Sequence, residues 1–383
     1  TANIPSNPVQ EPTVNPVHDI LDVQTTSCCI VGGGPAGAVL ALLLARQGIP
    51  VMLLETHKDF DRDFRGDTIH PSVMQIMEEL GLSDRLLQLP HGKMRQIRIQ
   101  TPNDTVTLAD FSHLKTRYPY ITMLPQVKFL EFIITEAQKY PIFHLVMGAN
   151  VQELIEENGV TQGVRYRGQG GWHEVRAVLT VGADGRHSRQ LGNFESIQTS
   201  PPMDVMWFRL PKKPEDAEGG VGRIGQGHIL VMLDRSDSWQ VGFVIPKGGY
   251  QELRAAGLSV LRESIVNVAP ELSDRIENLQ DWSQVAFLSV ESSRVKRWYH
   301  PGLLLIGDAA HIMSPVGGVG INYAIQDAVV TANILTKSLK AGHVNESNLA
   351  KVQRKRELPT RIIQTFQALI QKLIFTRVLN SDQ

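Results

Sequence analysis

Residues 28–55, CCIVGGGPAGAVLALLLARQGIPVMLLE, constrain this chain more than any other stretch. Cys28–Val31 reads as a short buried strand. Gly32, Gly34 and Gly37 follow in G-x-G-x-x-G spacing, and an apolar helix is predicted from Ala36 to about Gln47. Gly48 stops that helix, and Ile49–Leu54 reads as a second strand that ends in Glu55. Strand, turn, helix, strand and acid together form the dinucleotide-binding fingerprint. Gly32 allows the tight turn, Gly34 lets the backbone approach a pyrophosphate, and Gly37 lets helix and strand pack closely. The helix N-terminus offers free N–H groups and a positive dipole end to phosphates. Glu55 is placed to accept hydrogen bonds from ribose hydroxyls.

A chain of 383 residues buries a large core and suggests two domains or one large α/β unit. Lys+Arg 38 against Asp+Glu 39 leaves a net charge of −1, which gives no reason to expect nucleic acid or an anionic membrane. The two cysteines are adjacent in a strand, where neighbouring side chains face opposite ways. They read as buried thiols in a reducing, cytoplasmic compartment. No apolar run is long enough to span a membrane, no secretion signal is evident, and no metal-ligand cluster stands out. Residues 1–24, rich in proline and without periodicity, read as a flexible tail.

After Glu55 comes a charged loop containing Arg62 and Arg65, in which an arginine has the fork geometry to reach a pyrophosphate. Paired strands are expected at Met94–Gln100 and Thr105–Leu108, and a helix at Gln126–Tyr140. A meander of strands ends at Val181 and runs into GADGRHS, where Asp184-Gly185 turns and Arg186 and Ser188 add anion-binding capacity. Residues 203–290 read as an antiparallel sheet, with strands at Val205–Leu210, Ile229–Leu233, Trp239–Ile245 and Val285–Val290. GGVGRIGQG reads as a glycine-rich turn between them. Alternation places Met206, Phe208 and Leu210 on a core face, and Val205, Trp207 and Arg209 on the other. The aromatic residues here read mostly as core, with one face free to close an apolar pocket.

The third informative stretch is GLLLIGDAAHIMSPVGGVGINYAIQDA, residues 302–328. A buried strand runs into Gly307-Asp308. Pro315, Gly317, Gly318 and Gly320 then form a loop that opens a helix. Asp308 would repel a phosphate but accept from the hydroxyls of a sugar-alcohol chain.

In this order the three stretches resemble the motifs of the FAD-dependent aromatic hydroxylases, the p-hydroxybenzoate hydroxylase-like (group A flavin monooxygenase) family. GGGPAG with Glu55 resembles its first motif, GADGRHS its DG motif and GDAAHIMSPVGGVGIN its GD motif. The resemblance covers roughly residues 26–345 and implies an α/β fold: a Rossmann-like FAD-binding domain with an interleaved antiparallel-sheet substrate domain. Residues 25–200 and 291–345 would form the first, and 201–290 with part of 90–125 the second. Residues 346–383 would add a C-terminal helical segment.

The resemblance also implies site residues. Pro35, Ala36 and Gly37 would meet the pyrophosphate, Glu55 the adenosine ribose, and Arg65 the phosphate and ribose region. Gln126 would touch the ribityl–pyrophosphate region, Val151 would hold adenine through its backbone, and Asp308 would bind the ribityl chain. Asp184 belongs to the same cofactor site. Pro315 would lie beside the flavin ring, with the backbone of Gly318, Val319, Gly320 and Ile321 at its pyrimidine edge. Lys128 stands near the place where many relatives carry an arginine. The chemistry implied is hydroxylation of an aromatic or heteroaromatic molecule through a flavin C4a-hydroperoxide, using O2 and transient NADPH or NADH. Trp207 and Arg209 are then expected to stack on and orient the substrate, in a monomer or homodimer. His70, His228 and His311 are candidate bases only. A reductase or oxidase of the same fold and a non-catalytic flavoprotein remain alternatives. A halogenase is disfavoured, because Val241–Pro246 lacks both tryptophans of the W-x-W-x-I-P strand.

Overall fold

The computed structural model describes residues 18–60, 68–199, 201–217, 219–225 and 227–378. Two sheets carry the architecture. In the first, Leu303–Leu305, Gly171–Gly182, Ile20–Val31, Val51–Glu55 and Phe143–Met147 lie side by side and parallel. Tyr299–His300 closes one edge, while Asn150–Glu157 and Val160–Gly168 form an antiparallel extension. Central parallel strands are covered on both faces, which is why they read as unbroken apolar runs. Cys28 and Ile30 pack on one side against helices Pro35–Arg46, Gln126–Ala137 and Gly320–Lys340. Cys29 and Val31 pack on the other with Val151, Val164 and Tyr166. The adjacent thiols thus face apart, and both are free and buried. Burial pushes the Cys29 thiol up to about 12.

The first strand is longer than its apolar stretch suggests. Ile20–Gln24, expected in a tail, pair with Gly171–Gly182: Val23 lies opposite Glu174 and Gln24 opposite Val175. Leu21 and Val23 are exposed, so main-chain hydrogen bonds rather than burial hold this end in the sheet. Residues 1–17 of the expected tail lie outside the described residues.

The second sheet has seven strands in the order Ala286–Ser289, Met203–Pro211, Ser238–Pro246, His228–Asp234, Gly220–Gly225, Gln96–Gln100 and Thr105–Asp110. As the alternation predicts, Met206, Phe208 and Leu210 enter a core with Leu230, Met232, Phe243 and helix Leu258–Val268. Two expectations fail here. Gly220–Gly225 is a strand, not a turn, antiparallel to His228–Asp234 and parallel to Gln96–Gln100. A Cβ on Gly220 would come within 2.4 Å of Met94 Sδ, so glycine there makes room for a neighbour. Met94–Gln100 is also not one strand: Gly92–Met94 joins a small sheet with Thr68–Ile69 and Ile121–Met123, and Gln96–Gln100 joins the large one.

Helix Glu346–Val378 ends the described chain. After Leu349 and Val352, which join the main core, its buried side is largely polar: Gln353, Arg356, Thr360, Gln364, Gln367 and Gln371 face the protein.

Candidate functional site

Register brings the three motifs together. Val31 pairs with Leu54 on one side and with Gly182 on the other, and Gly182 pairs with Leu305. The parallel strands therefore end level, and the segments that follow them share one edge: Gly32–Gly37, Glu55, Ala183–Gly185 and Gly307–Ala309. Ligands of open parallel sheets bind at this carboxyl edge.

The first loop is built around absent side chains. A Cβ on Gly37 would lie 1.9 Å from the Gly32 carbonyl oxygen, so helix and turn touch there. Gly32 has φ of +108°, and a Cβ on it would lie 2.7 Å from Cβ of Asp184. Gly34, by contrast, has nothing within 4 Å of its Cβ position. Helical bonding begins with Ala38 N–H donating to the Gly34 carbonyl at 2.9 Å, and no side chain caps the helix. The first-turn amides of Ala36 and Gly37 thus face an open space at a positive dipole end. Glu55 is buried; its Oε1 accepts from Gly33 N–H at 3.1 Å and its Oε2 from His57 N–H at 2.7 Å.

The second loop fastens the first to the third. Asp184 accepts from the Ser188 hydroxyl, yet burial raises its carboxyl above the usual range. Arg186 pairs with Glu291, so Arg186 and Ser188, read as anion binders, serve the protein's own carboxylates. Arg189, which sequence reading passed over, is the anchor. It is 5% exposed and donates from Nε to the Ala309 carbonyl at 2.7 Å and from a terminal nitrogen to Ser293 Oγ at 2.7 Å. Burial lowers its guanidinium to about 10, against the opposing influence of Asp308.

The third loop is held from below by Asp327, which is fully buried. Its Oδ2 takes Gly307 N–H at 2.9 Å and His311 Nε2 at 2.5 Å; its Oδ1 takes Arg356 Nε at 2.7 Å. The ion-pair partners hold the Asp327 carboxyl below its ordinary range despite burial. His311 is therefore a structural partner of an aspartate. Asp308 is exposed while Gly307, Ala309 and Ala310 around it are buried. Farther along, Thr68 Oγ donates to the Gly318 carbonyl at 2.9 Å, and His70 Nε2 bonds the Gly317 carbonyl at 3.0 Å. Burial lowers the His70 pKa. Asn322 joins both segments, donating to the Thr68 and Gly318 carbonyls at 2.8 and 3.0 Å. From outside, Gln367 donates to the Ser314 and Val316 carbonyls at 2.9 and 2.7 Å, and Gln364 to the Ile312 carbonyl at 3.1 Å. Helix Gly320–Lys340 then starts without a side-chain cap, and Gly320 has nothing within 4 Å of its Cβ position.

The remaining expected residues divide. Trp207 packs with Val205, Val244 and Ile229 in a cluster that reaches Val316, one residue beyond Pro315. Its ring lies across Gly242 on the paired strand, 2.7 Å from where a Cβ would be. Arg209 is exposed and is not in that cluster. Its strand partner Gln240 is 1% exposed, with Oε1 unbonded, a polar group the sequence reading did not single out. Gln126 is buried as the first residue of its helix, and Lys128 is exposed and pairs with Glu131. The Val151 carbonyl accepts from His187 Nε2 at 2.6 Å, so an adenine contact there shares or displaces that ring. His228 lies beside Phe243, its ring tilted by 36°, on the sheet's far side, away from Val316. Arg62 and Arg65 lie outside the described residues.

Two uncapped helix starts, open space at Gly34 and Gly320, and an exposed aspartate between them fit a cofactor with a pyrophosphate, a polyol chain and an electron-rich ring edge. Comparison with known proteins agrees. The FAD binding domain family matches residues 25–364. The 6-methylpretetramide 4-monooxygenase of Streptomyces rimosus is 33% identical over 356 residues, 92% of this chain and 85% of that protein. An uncharacterized aromatic compound monooxygenase, YhjG, of Bacillus subtilis (strain 168) is 25% identical over 313 residues, 78% of this chain and 59% of that protein. The crystal structure of P. aeruginosa PqsL in complex with 2-aminobenzoylacetate has the same fold, with a TM-score of 0.80 at 21% identity over 93% of this chain and 97% of that one. With the family matched along most of its length, the chain belongs to the FAD binding domain family and is an FAD-dependent monooxygenase.

Proposed function

We propose that the enzyme hydroxylates an electron-rich aromatic ring, of the multi-ring kind named for its relative from S. rimosus, with electrons from NADPH or NADH. The observation that carries this reading is the apolar cluster of Val205, Trp207, Ile229 and Val244 touching Val316 of the third loop. It is an aromatic-bearing face set against the loop that follows Asp308. When bound, FAD supplies the oxygen-activating chemistry.

The chain's own residues bind, orient and exclude water. First-turn amides of Ala36 and Gly37, beside Pro35, take the pyrophosphate, helped by Arg65 and by Gln126. Glu55 exchanges its Gly33 and His57 contacts for ribose hydroxyls. Val151 borders the adenine, and Asp184 shapes the turn against Gly32. Asp308 accepts from the ribityl chain. Pro315 would border the flavin ring, and the backbone of Gly318, Val319, Gly320 and Ile321 would hold its pyrimidine edge. Trp207 offers the substrate a stacking surface and keeps water off the reacting face; Arg209, exposed, orients a substrate oxygen only at the pocket mouth. In this reading residues 25–200 and 291–345 form the cofactor domain, and 201–290 with part of 90–125 the substrate domain. Two free, buried cysteines support a cytoplasmic setting, and a monomer or homodimer suffices for the site.

The test is oxygen incorporation. Purified enzyme with NADPH, a polycyclic phenol and 18O2 should yield product heavier by one labelled oxygen, with NADPH consumption accelerated by the phenol. Reduction of a substrate double bond without oxygen uptake would instead assign a reductase.

A further inference from the structure

The helix Glu346–Val378 is arranged inside out. Leu349 and Val352 enter the core near its start, but beyond them a polar stripe faces the protein while five bulky apolar residues face solvent: Leu358, Ile362, Phe366, Leu369 and Leu373 are each more than half exposed. At about 100° per residue these five fall within an arc of about 80°, opposite the arc of Gln353, Arg356, Thr360, Gln364, Gln367 and Gln371. The spacing of four, four, three and four residues is therefore a continuous ridge. Lys351 and Lys355 extend the same line toward the helix start, and Arg354 and Arg361 flank it; all four are exposed. Between Ser347 and Leu373 the only acid is Glu357, which is half-buried and bonded to Gln353.

We infer that this ridge docks the enzyme on an anionic lipid bilayer, with the helix lying in the interfacial plane. Apolar side chains on one face with lysine and arginine beside them, and a low overall hydropathy, are the marks of an interfacial helix. Here the protein itself replaces the water-facing polar side. No described helix is long and apolar enough to cross a membrane, so docking would be peripheral. A second copy of the chain fits less well. The ridge spans about 22 Å by one helix width of about 10 Å, or ~220 Å², against the ~800 Å² per partner of a stable interface. Two such helices would also bring their cations together with no exposed acid between Ser347 and Leu373 to pair them. An acidic protein meets the charge but not the shape. The ridge is one convex helix face, aliphatic save for Phe366, whereas hot spots of protein interfaces are aromatic and arginine anchors seated in pockets. A fluid acyl boundary needs no such complementarity. The opposite side of the same helix holds the Ile312, Ser314 and Val316 carbonyls, so the docked surface lies about one helix diameter, ~10 Å, from the third loop.

The experiment is vesicle flotation of the full FAD-loaded chain, which needs no turnover and so fails or succeeds independently of the substrate assignment. Vesicles of phosphatidylcholine with one quarter phosphatidylglycerol should carry the enzyme up the gradient. Neutral phosphatidylcholine should bind it at least about tenfold more weakly, because each cation near an anionic surface adds affinity. Raising salt from 0.1 to 0.5 M should release it. The exposed triple variant Ile362→Ser/Phe366→Ser/Leu369→Ser, still yellow, should stay at the bottom. The inference is overturned if the wild type ignores anionic vesicles or if the triple variant floats equally well. It is also overturned if light scattering shows a wild-type dimer that the triple variant converts to monomer.

Discussion

Replacing Asp327 by asparagine changes one buried oxygen to an amide nitrogen and should cost several kcal/mol. The carboxylate is 0% exposed and accepts from three donors: Arg356 Nε, His311 Nε2 and Gly307 N–H. Whichever way an asparagine amide turns, its NH2 meets a donor, Arg356 on one side or Gly307 and His311 on the other. Breaking a buried ion pair by neutralising one member costs about 3–5 kcal/mol, because the remaining charge is left uncompensated. With a denaturant slope of ~3 kcal/mol/M in urea, the unfolding midpoint should fall by about 1 M or more. FAD binding should weaken in the same variant, since one amide oxygen cannot serve Arg356 as well as the Gly307 and His311 donors that set Asp308. Acid pH reports the same pair. The folded-state pKa of Asp327 is depressed, so its contribution is full above the ordinary carboxylate range near pH ~4 and is lost as pH falls below it. The acid limb of stability should therefore flatten in Asp327→Asn. Urea unfolding followed by far-UV circular dichroism and flavin fluorescence measures all of this. Adding Arg356→Gln should restore part of the loss, as a double-mutant cycle. A loss under 1 kcal/mol with FAD affinity intact would refute the reasoning, as would a double variant no better than the single.

Three further outcomes are expected. Asp308→Ala should weaken FAD binding by about tenfold or more, the value of losing a charge-assisted hydrogen bond of about 1.5–3 kcal/mol, with the unfolding midpoint of the apoprotein unchanged; titration of apoprotein with FAD reads both. Trp207→Ala should leave FAD bound but divert NADPH oxidation to hydrogen peroxide, and peroxide yield per NADPH measures the diversion; wild-type coupling would remove Trp207 from the pocket. Cys28 and Cys29, both fully buried and with thiol pKa values raised by burial, should resist a thiol reagent at pH 8 until urea unfolds the chain.

Much of this was legible because each motif states its own local physics. Gly32, Gly37 and Glu55 announce a turn, a close approach and an acid without reference to the rest of the chain. The alternation of Met203–Pro211 likewise reveals which face is core. What stayed hidden depends on partners far away in sequence. Arg189 looks like one more basic residue after a turn, and only its burial beside Ala309 makes it an anchor. The Gly220–Gly225 strand is disguised because Gly220 answers to Met94, more than a hundred residues earlier. The glutamines of the last helix have visible helical spacing, but amphipathic logic places polar residues outward, and here the carbonyls of the third loop draw them in. Ile20–Gln24 escaped because it is held by main-chain pairing and by Asp22, whose partner His173 lies 151 positions away.

The way the third loop is held also sets an order of assembly. The Gly32–Glu55 unit closes over short distances, with Cys28 beside Val51. The Gly317 and Gly318 carbonyls wait for His70 and Thr68, 247 and 250 positions back along the chain. Ala309 waits for Arg189, 120 positions away, and Ser314 for Gln367, 53 positions on. Contacts across such separations form late, because the entropy of closing the chain must be met before they reward it. During refolding the half of the site that grips the adenylate end should therefore mature first, and the half that surrounds the ring last. A chain caught between those two moments would bind ADP about as well as the finished protein does, while still unable to retain FAD.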